Sequence, residues 1–336
     1  MTQSQHRGSI DGHAHLVPLS FLNVIQASAK SLGVEVERTA DGHAVSFPNL
    51  PKLRPAGGKL VDLAGRDEWM ASVGAKRQVT GAWTDMVGYT LPAKRELEWV
   101  RLLNEHMAAE AASAGDAFSA LATIPMRSGD AAAEELEYAV NTLGMVGAML
   151  SSDPVDIDVA APEVESFWEE AAALDVPVML HGASHSKFAS FGPPYLGYSL
   201  GRTFDTSILV AKLVLGGLLD RHPKLRLVLC HGGGALPYLI GRIEDGYQRG
   251  TDKTAQLERH GPTDYLPDLY YDTVTLNERS LRFLMDFVGA GHIILGSDWV
   301  WGPMAGEFAG PTEAVASEVE LSAIRSGTAE SLFGTT

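Results

Sequence analysis

The sequence predicts a closed parallel (β/α)8 barrel, a TIM barrel of the α/β class. Eight short apolar runs alternate with segments of helical spacing along most of the chain. No G-x-G-x-x-G follows an early strand, as an open doubly wound sheet would favour. Four of the apolar runs end in residues able to hold a metal or move a proton. At 336 residues the chain could make two average domains, yet barrels of this kind reach that size as one. A single metal-dependent barrel domain over 1–336 is expected, with an insertion at about 33–60.

The first run closes on Ile10-Asp11-Gly12-His13-Ala14-His15, where alternation puts both histidines on one face of a strand. Helical spacing follows over 21–32. Residues 34–38 and 43–47 then read as two extended runs joined at Asp41-Gly42, and Pro48, Pro51 and Pro55 prolong this excursion. It breaks the alternation and is expected on the same side of the barrel as the histidine pair.

From residue 60 the pattern is regular. Helix is expected over 60–73, strand over 78–83, and a long helix over 92–114 with Pro92 near its first turn. Strand 118–124 precedes a helix over 131–143 ended by Gly144. Strand 146–150, helix 162–174 and strand 176–180 lead into a Gly/Pro/aromatic loop over 182–201. Helix 205–219, strand 225–229, helix 235–249, strand 269–272, helix 280–288 and strand 292–295 complete the count, with helical segments from 312 and 328. No internal repeat or low-complexity tract interrupts this order.

Composition narrows the partners. A formal net charge of −16 argues against nucleic acid or an anionic membrane, since both bind through clustered Lys and Arg. It leaves room for a small anionic substrate held by local arginines. The single cysteine, Cys230, excludes an internal disulfide framework and fits a reducing compartment. Residues 1–9 are polar and lack the apolar core of a secretory signal, and Lys212 interrupts an apolar stretch, 208–219, that is too short to cross a bilayer. A soluble cytoplasmic protein is expected.

In this barrel active sites form at the carboxyl ends of the strands. His13 and His15 close the first strand, His181 the fifth, His231 the sixth and Asp298 the eighth. Imidazoles with one carboxylate and an open position suit one divalent ion, Zn²⁺ first and Mn²⁺ as the alternative. With four ligands in place, His231 is the candidate general acid or base. Alternation points Cys230 away from His231 into the barrel wall, a structural position.

At these residues the chain resembles the amidohydrolase superfamily. The H-x-H, the lone His181, the run His231-Gly232-Gly233-Gly234-Ala235-Leu236-Pro237-Tyr238 with Gly241-Arg242-Ile243, and Leu295-Gly296-Ser297-Asp298 carry the likeness. Within it the chain most resembles the metal-dependent decarboxylases typified by aminocarboxymuconate-semialdehyde decarboxylase. The likeness runs from Ile10 to Phe333 and includes Glu105 and the run Arg221-His222-Pro223-Lys224-Leu225. It implies His13, His15, His181 and Asp298 as ligands of one metal, because residues 145–152 hold no lysine to bridge two. It also implies a homodimer, and non-oxidative loss of CO₂ from an aromatic or unsaturated hydroxy- or amino-carboxylic acid. The proton would come from metal-bound water steered by His231 and Asp298.

Members of the family the chain resembles hold substrate carboxylates with arginines, one after the first strand and one that can come from a partner subunit. Here Arg54 stands nearest the first such position with Arg66 further on, while Arg242 lies in the matching GRI segment and Arg249 one place off the second position. Trp301 and Tyr198 match aromatic pocket positions, and Phe47, Phe188, Phe191, Tyr195 and Trp299 could widen a flat apolar slot. His185 could contact the site from the loop after His181. The same ligands could instead serve a metal-dependent hydrolase of a lactone or amide, or a hydratase.

Overall fold

The computed structural model describes residues 8–154, 156–188, 190, 192–250, 257–301 and 308–335. Phe191 and most of the polar N-terminal stretch lie outside them. Eight parallel strands ring one axis: β1 (Ser9–Leu16), β4 (Ala75–Ala82), β5 (Phe118–Ala120), β6 (Ala148–Ser151), β7 (Pro177–His181), β8 (Arg226–Leu229), β9 (Tyr270–Asp272) and β10 (Ile293–Ile294). Continuous ladders join β1, β4 and β5, and separately β6 through β10 in order. Backbone hydrogen bonds cross both seams: Gly12 N donates to Leu295 O at 2.8 Å, and Ala122 N to Gly147 O at 2.8 Å. The expected (β/α)8 barrel is the observed fold.

An antiparallel hairpin of β2 (Glu35–Thr39) and β3 (Gly42–Ser46) turns at Asp41-Gly42 where the extended runs were expected. Phe47, just beyond it, is buried against Trp99 at a centroid distance of 5.0 Å. The main outer helices are α1 (Leu19–Leu32), α2 (Leu63–Val73), α3 (Ala93–Ser113), α4 (Gly129–Asn141), α5 (Glu165–Ala173), α6 (Arg202–Leu215), α7 (Leu236–Gln248) and α8 (Glu278–Val288). Pro92 stands at the N-cap of α3, and Gly33 ends α1 with φ 80°. Several boundaries shift by a few residues from the sequence pattern, as at β4, which starts at Ala75, and α6, which ends at Leu215. Ordered strand stops at Ala120, beyond which Ala122 makes one isolated bridge to Ala148. Helical turns also begin at Pro194 and run through Gly197–Gly201 into α6, inside the stretch expected as loop. Pro194 preorganises that first turn, and Tyr198 and Arg202 thereby come to share one helical face, four residues apart.

Ile10, Val79, Leu121, Met149, Met179, Val228 and Ile294 fill the barrel interior, and Leu332 and Phe333 of the C-terminal helix α9 (Thr328–Phe333) pack beneath them. Each such side chain contributes roughly 1.5–3 kcal/mol by burial. Arg77 pins this plug from β4 by donating to the carbonyls of Phe333 at 3.0 Å and Gly334 at 2.6 Å. With the amino-terminal mouth stoppered, the opposite rim is left for chemistry. Among the described residues no helix is long and apolar enough to cross a membrane.

Glu96, at the start of α3, is buried with Oε1 accepting from Met126 N at 3.0 Å and Oε2 without a partner. Burial pushes its carboxyl up to about 7, against partial relief from Arg127. The folded chain therefore holds this proton more tightly than the unfolded one, and Glu96's contribution is lost as pH rises from about 4.5 through about 7. Glu96→Gln should raise the melting temperature by roughly 2–4 °C at pH 8 and by little at pH 5. Calorimetry at the two pH values checks this, and an equal shift at both would contradict it.

Candidate metal centre

β1 places His13 and His15 on the barrel axis, with no exposure to solvent and their Nε2 atoms 3.4 Å apart. His181, the last residue of β7, brings its Nε2 to 3.2 Å from that of His15. Asp298, after β10, sets Oδ1 at 3.1 Å from His15 Nε2, 3.6 Å from His13 Nε2 and 3.9 Å from His181 Nε2. The four ligand atoms lie within 4.8 Å of one another and all four residues are buried.

The outward nitrogens decide what the inward ones offer. His13 Nδ1 is 2.6 Å from Asp272 Oδ2, His181 Nδ1 is 2.7 Å from the carbonyl of Gly182, and His15 Nδ1 is 3.3 Å from that of Ala82. These oxygens only accept, so each ring donates its Nδ1 proton outward and turns its Nε2 inward. Burial lowers the pKa of His15 and lowers that of His181 well below the usual range, keeping both rings neutral. Against its own burial, the Asp298 carboxyl is held well below the usual carboxylate range by His15, His181 and His231. Against its own burial, His13 is raised well above the usual range by Cys230 and Asp272, so its Nε2 proton is one that a bound cation would displace. Three imidazole Nε2 atoms and a carboxylate oxygen, Oδ1, that is buried without a hydrogen-bond partner thus face one point. This donor set fits a divalent cation such as Zn²⁺ or Mn²⁺.

Two carboxylates that the sequence pattern does not single out brace the cluster. Asp272, at the end of β9, accepts from His13 and also from the backbone N–H groups of His231 at 2.9 Å, Gly232 at 2.8 Å and Val274 at 3.0 Å. Asp11 accepts from Ser297 N at 2.9 Å, Ser297 Oγ at 2.5 Å and Gln78 Nε2 at 2.6 Å, tying the H-x-H strand to the turn that carries Asp298. Asp272 ends a barrel strand as the expected ligands do, a signal that could have found it.

His231 stands beside the cluster with φ 58°, its Nε2 3.7 Å from Asp298 Oδ2. Asp298 itself has φ 50°. Positive φ in non-glycine residues is costly and is retained where the surroundings impose it. Glycine is required in the turn after His231: at Gly234, φ 62°, a Cβ would stand 2.3 Å from the carbonyl oxygen of Thr203. His231 and Asp298 line a cavity of about 610 Å³ with Tyr198, Arg202, Val274 and Arg279.

Arg54 and Trp301 share a second cavity, of about 330 Å³, with Ser184, Tyr198 and Arg202. Trp301 approaches the His15 ring at 5.2 Å. Other residues expected at the site stand elsewhere in this chain, Arg242 among them. It is exposed on α7, absent from both cavity walls, because the face of α7 carrying Leu236 and Ile240 is the one turned inward. Arg66 is buried behind the site, donating to His15 O at 2.7 Å, and Arg249 is an exposed partner of Asp245. Trp299 packs on Trp69 at 4.5 Å, Phe188 borders a different cavity, Tyr195 is exposed, and Phe47 belongs to the core. His185 Nδ1 stands 3.5 Å from Asp85 Oδ1, apart from the cluster. Cys230 points into the barrel interior, its Sγ grouped with His13 and Asp272, so it floors the site rather than joining the outer wall.

The barrel and its three-histidine, one-aspartate rim define a metal-dependent amidohydrolase-type enzyme. The amidohydrolase family model matches residues 10–335. The chain is 25% identical over 293 residues to the 2-amino-3-carboxymuconate-6-semialdehyde decarboxylase of Dictyostelium discoideum, covering 86% of this chain and 81% of that protein. It is 31% identical over 230 residues to the gamma-resorcylate decarboxylase of Rhizobium sp. strain MTP-10005, covering 62% and 68%. The crystal structure of 2,6-dihydroxybenzoate decarboxylase complexed with 2,6-dihydroxybenzoate superposes with a TM-score of 0.79 at 25% identity, covering 98% of this chain and 100% of that one. The chain belongs to the amidohydrolase family, on the branch of its carboxy-lyases.

Removing a ligand leaves the others unable to hold the ion. His13→Ala and Asp298→Ala should therefore lose the metal, whereas His231→Ala should keep it. Asp272→Asn, which unsettles the His13 ring, should weaken metal affinity by about 10–100-fold. Metal analysis of dialysed proteins checks each, and full stoichiometry in either ligand variant would overturn the assignment.

Proposed function

We propose that this enzyme removes CO₂ non-oxidatively from an aromatic or unsaturated hydroxy- or amino-carboxylic acid, a reading supported by the decarboxylases among its relatives. The observation that carries this is His231 at the wall of the 610 Å³ cavity, 3.7 Å from Asp298 and beside the four inward-facing ligand atoms. In this reading His13, His15, His181 and Asp298 hold one divalent cation, Zn²⁺ or Mn²⁺. When bound, such an ion supplies Lewis acidity toward a substrate oxygen.

The remaining work falls to this chain's own side chains. Trp301 and Tyr198 form flat walls between which a ring can be held, and Arg54 receives a carboxylate. The bond between carbon and carboxylate breaks, its electron pair stays on the carbon, and a proton must reach that carbon. His231, with Nε2 3.7 Å from Asp298 Oδ2 and facing the larger cavity, is the side chain placed to deliver it, and so is the acid of this step in this reading. The residue is anchored through its backbone N–H to Asp272, which holds the turn that carries the ring. A homodimer and a cytoplasmic location belong to the same reading, supported by the family likeness and the lone cysteine.

The test is incubation of the metal-loaded protein with aromatic hydroxy-acids and, separately, with lactones. CO₂ release without an oxidant is expected, and His231→Ala should lower kcat by about 10²-fold or more with its metal retained. A product that gains water with no CO₂ released would replace this reading with the hydrolase or hydratase one.

A further inference from the structure

Arg66, in the first turn of α2, is fully buried and lines neither cavity beside the metal cluster, so a substrate does not reach it. Its bonds go to neutral oxygens. Nη1 donates to Gln78 Oε1 at 2.9 Å and Nη2 to the carbonyl of His15 at 2.7 Å, while Nε is buried without a hydrogen-bond partner. Burial brings the guanidinium down to about 10, against the pull of Asp11 and Asp62, which leaves it charged at neutral pH.

The carboxylate that answers this charge lies one side chain further on. Gln78 spends both ends of its amide, Oε1 accepting from Arg66 and Nε2 donating to Asp11 Oδ2 at 2.6 Å. The two charges dictate that orientation, since the reverse would set the amide oxygen against a carboxylate and the NH₂ against a guanidinium. Asp11 is fully buried as well, and its other bonds come from uncharged donors: Ser297 N at 2.9 Å, Ser297 Oγ at 2.5 Å and His13 N at 3.3 Å. A buried carboxylate without a countercharge is strongly unfavourable. Arg66 supplies that countercharge through the amide.

The relay ends on the metal ligands. Ser297 and Asp298 both donate their backbone N–H to the carbonyl of His13, at 3.2 and 2.9 Å. Arg66 meets the far side of the same turn, its Cζ 5.9 Å from the Trp299 ring centroid, and Trp69, also on α2, packs on that indole at 4.5 Å. One buried cation thus holds His15 directly and both neighbours of Asp298, Ser297 by way of Gln78 and Asp11, and Trp299 at its ring.

We propose that Arg66 is a positioning residue of the metal centre: through Gln78 and Asp11 it holds the Asp298 turn against the strand of His13 and His15, and so sets the affinity for the cation without touching it. The planar fork reaches two oxygens at fixed angles, whereas a lysine would bring the charge without the fork. The inference rests on the assignment of His13, His15, His181 and Asp298 as ligands, and is independent of the reaction they serve.

Zn²⁺ affinity, measured by competition with a chelator on variants shown by circular dichroism to be folded, tests it. Arg66→Met should bind Zn²⁺ about 10–100-fold more weakly than the unaltered protein, and Arg66→Lys should recover only part of the loss. Because Arg66 acts through Asp11, Asp11→Asn should cost clearly less affinity in the Arg66→Met background than in the unaltered protein. Should Arg66→Met not fold, Gln78→Met, which cuts the relay and keeps the guanidinium, should weaken Zn²⁺ binding by about tenfold. Affinity within about twofold of the unaltered protein in either folded variant, or effects of Arg66→Met and Asp11→Asn that simply multiply, would overturn the proposal. An unaltered protein that binds no Zn²⁺ would instead remove the ligand assignment, and the inference with it.

Discussion

Three imidazole Nε2 atoms and one carboxylate oxygen aimed at one point form the constraint on which this molecule is built. These atoms crowd within 4.8 Å of one another while the outward Nδ1 atoms face Asp272, Ala82 and Gly182. A cation resolves this arrangement, and much of the rim is shaped to preserve it. Asp272 ties His13 to the turn bearing His231, and Asp11 ties the first strand to the turn bearing Asp298. Residues from opposite ends of the chain become neighbours because β1 and the segment after β10 lie side by side at the seam of the barrel.

The same braces explain the backbone. Asp298 donates its N–H to the carbonyl of His13 at 2.9 Å, and His231 donates its own to Asp272, so both residues are held at positive φ by partners on adjacent strands. The strained turns place His231 beside the cluster and leave it facing the larger cavity. The inner apolar layers and the Phe333 plug give this rim a rigid floor, with Cys230 beneath His13 as part of that floor.

The barrel and its ligands are legible in the sequence because both follow local rules. Strand alternation alone pairs His13 with His15, and apolar runs ending in His181, His231 and Asp298 announce carboxyl ends that this fold gathers on one rim. What stays hidden depends on contacts across hundreds of positions. Asp272 reads only as a strand residue, since nothing local shows that its partner lies 259 residues earlier. Arg202 falls just past a stretch expected as loop, where helical turns from Pro194 instead carry it to the cavity beside Tyr198. Arg242 is exposed on α7 of this chain, because a matched segment does not reveal which face of its helix turns outward.

X-ray absorption spectroscopy of the protein loaded with one equivalent of Zn²⁺ reads the donor set itself. A first shell of nitrogen and oxygen only is expected, at about 2.0–2.1 Å, with outer-shell scattering from three imidazoles. A sulfur scatterer at about 2.3 Å, or fewer than two imidazoles, would contradict the convergence of His13, His15, His181 and Asp298 on one cation.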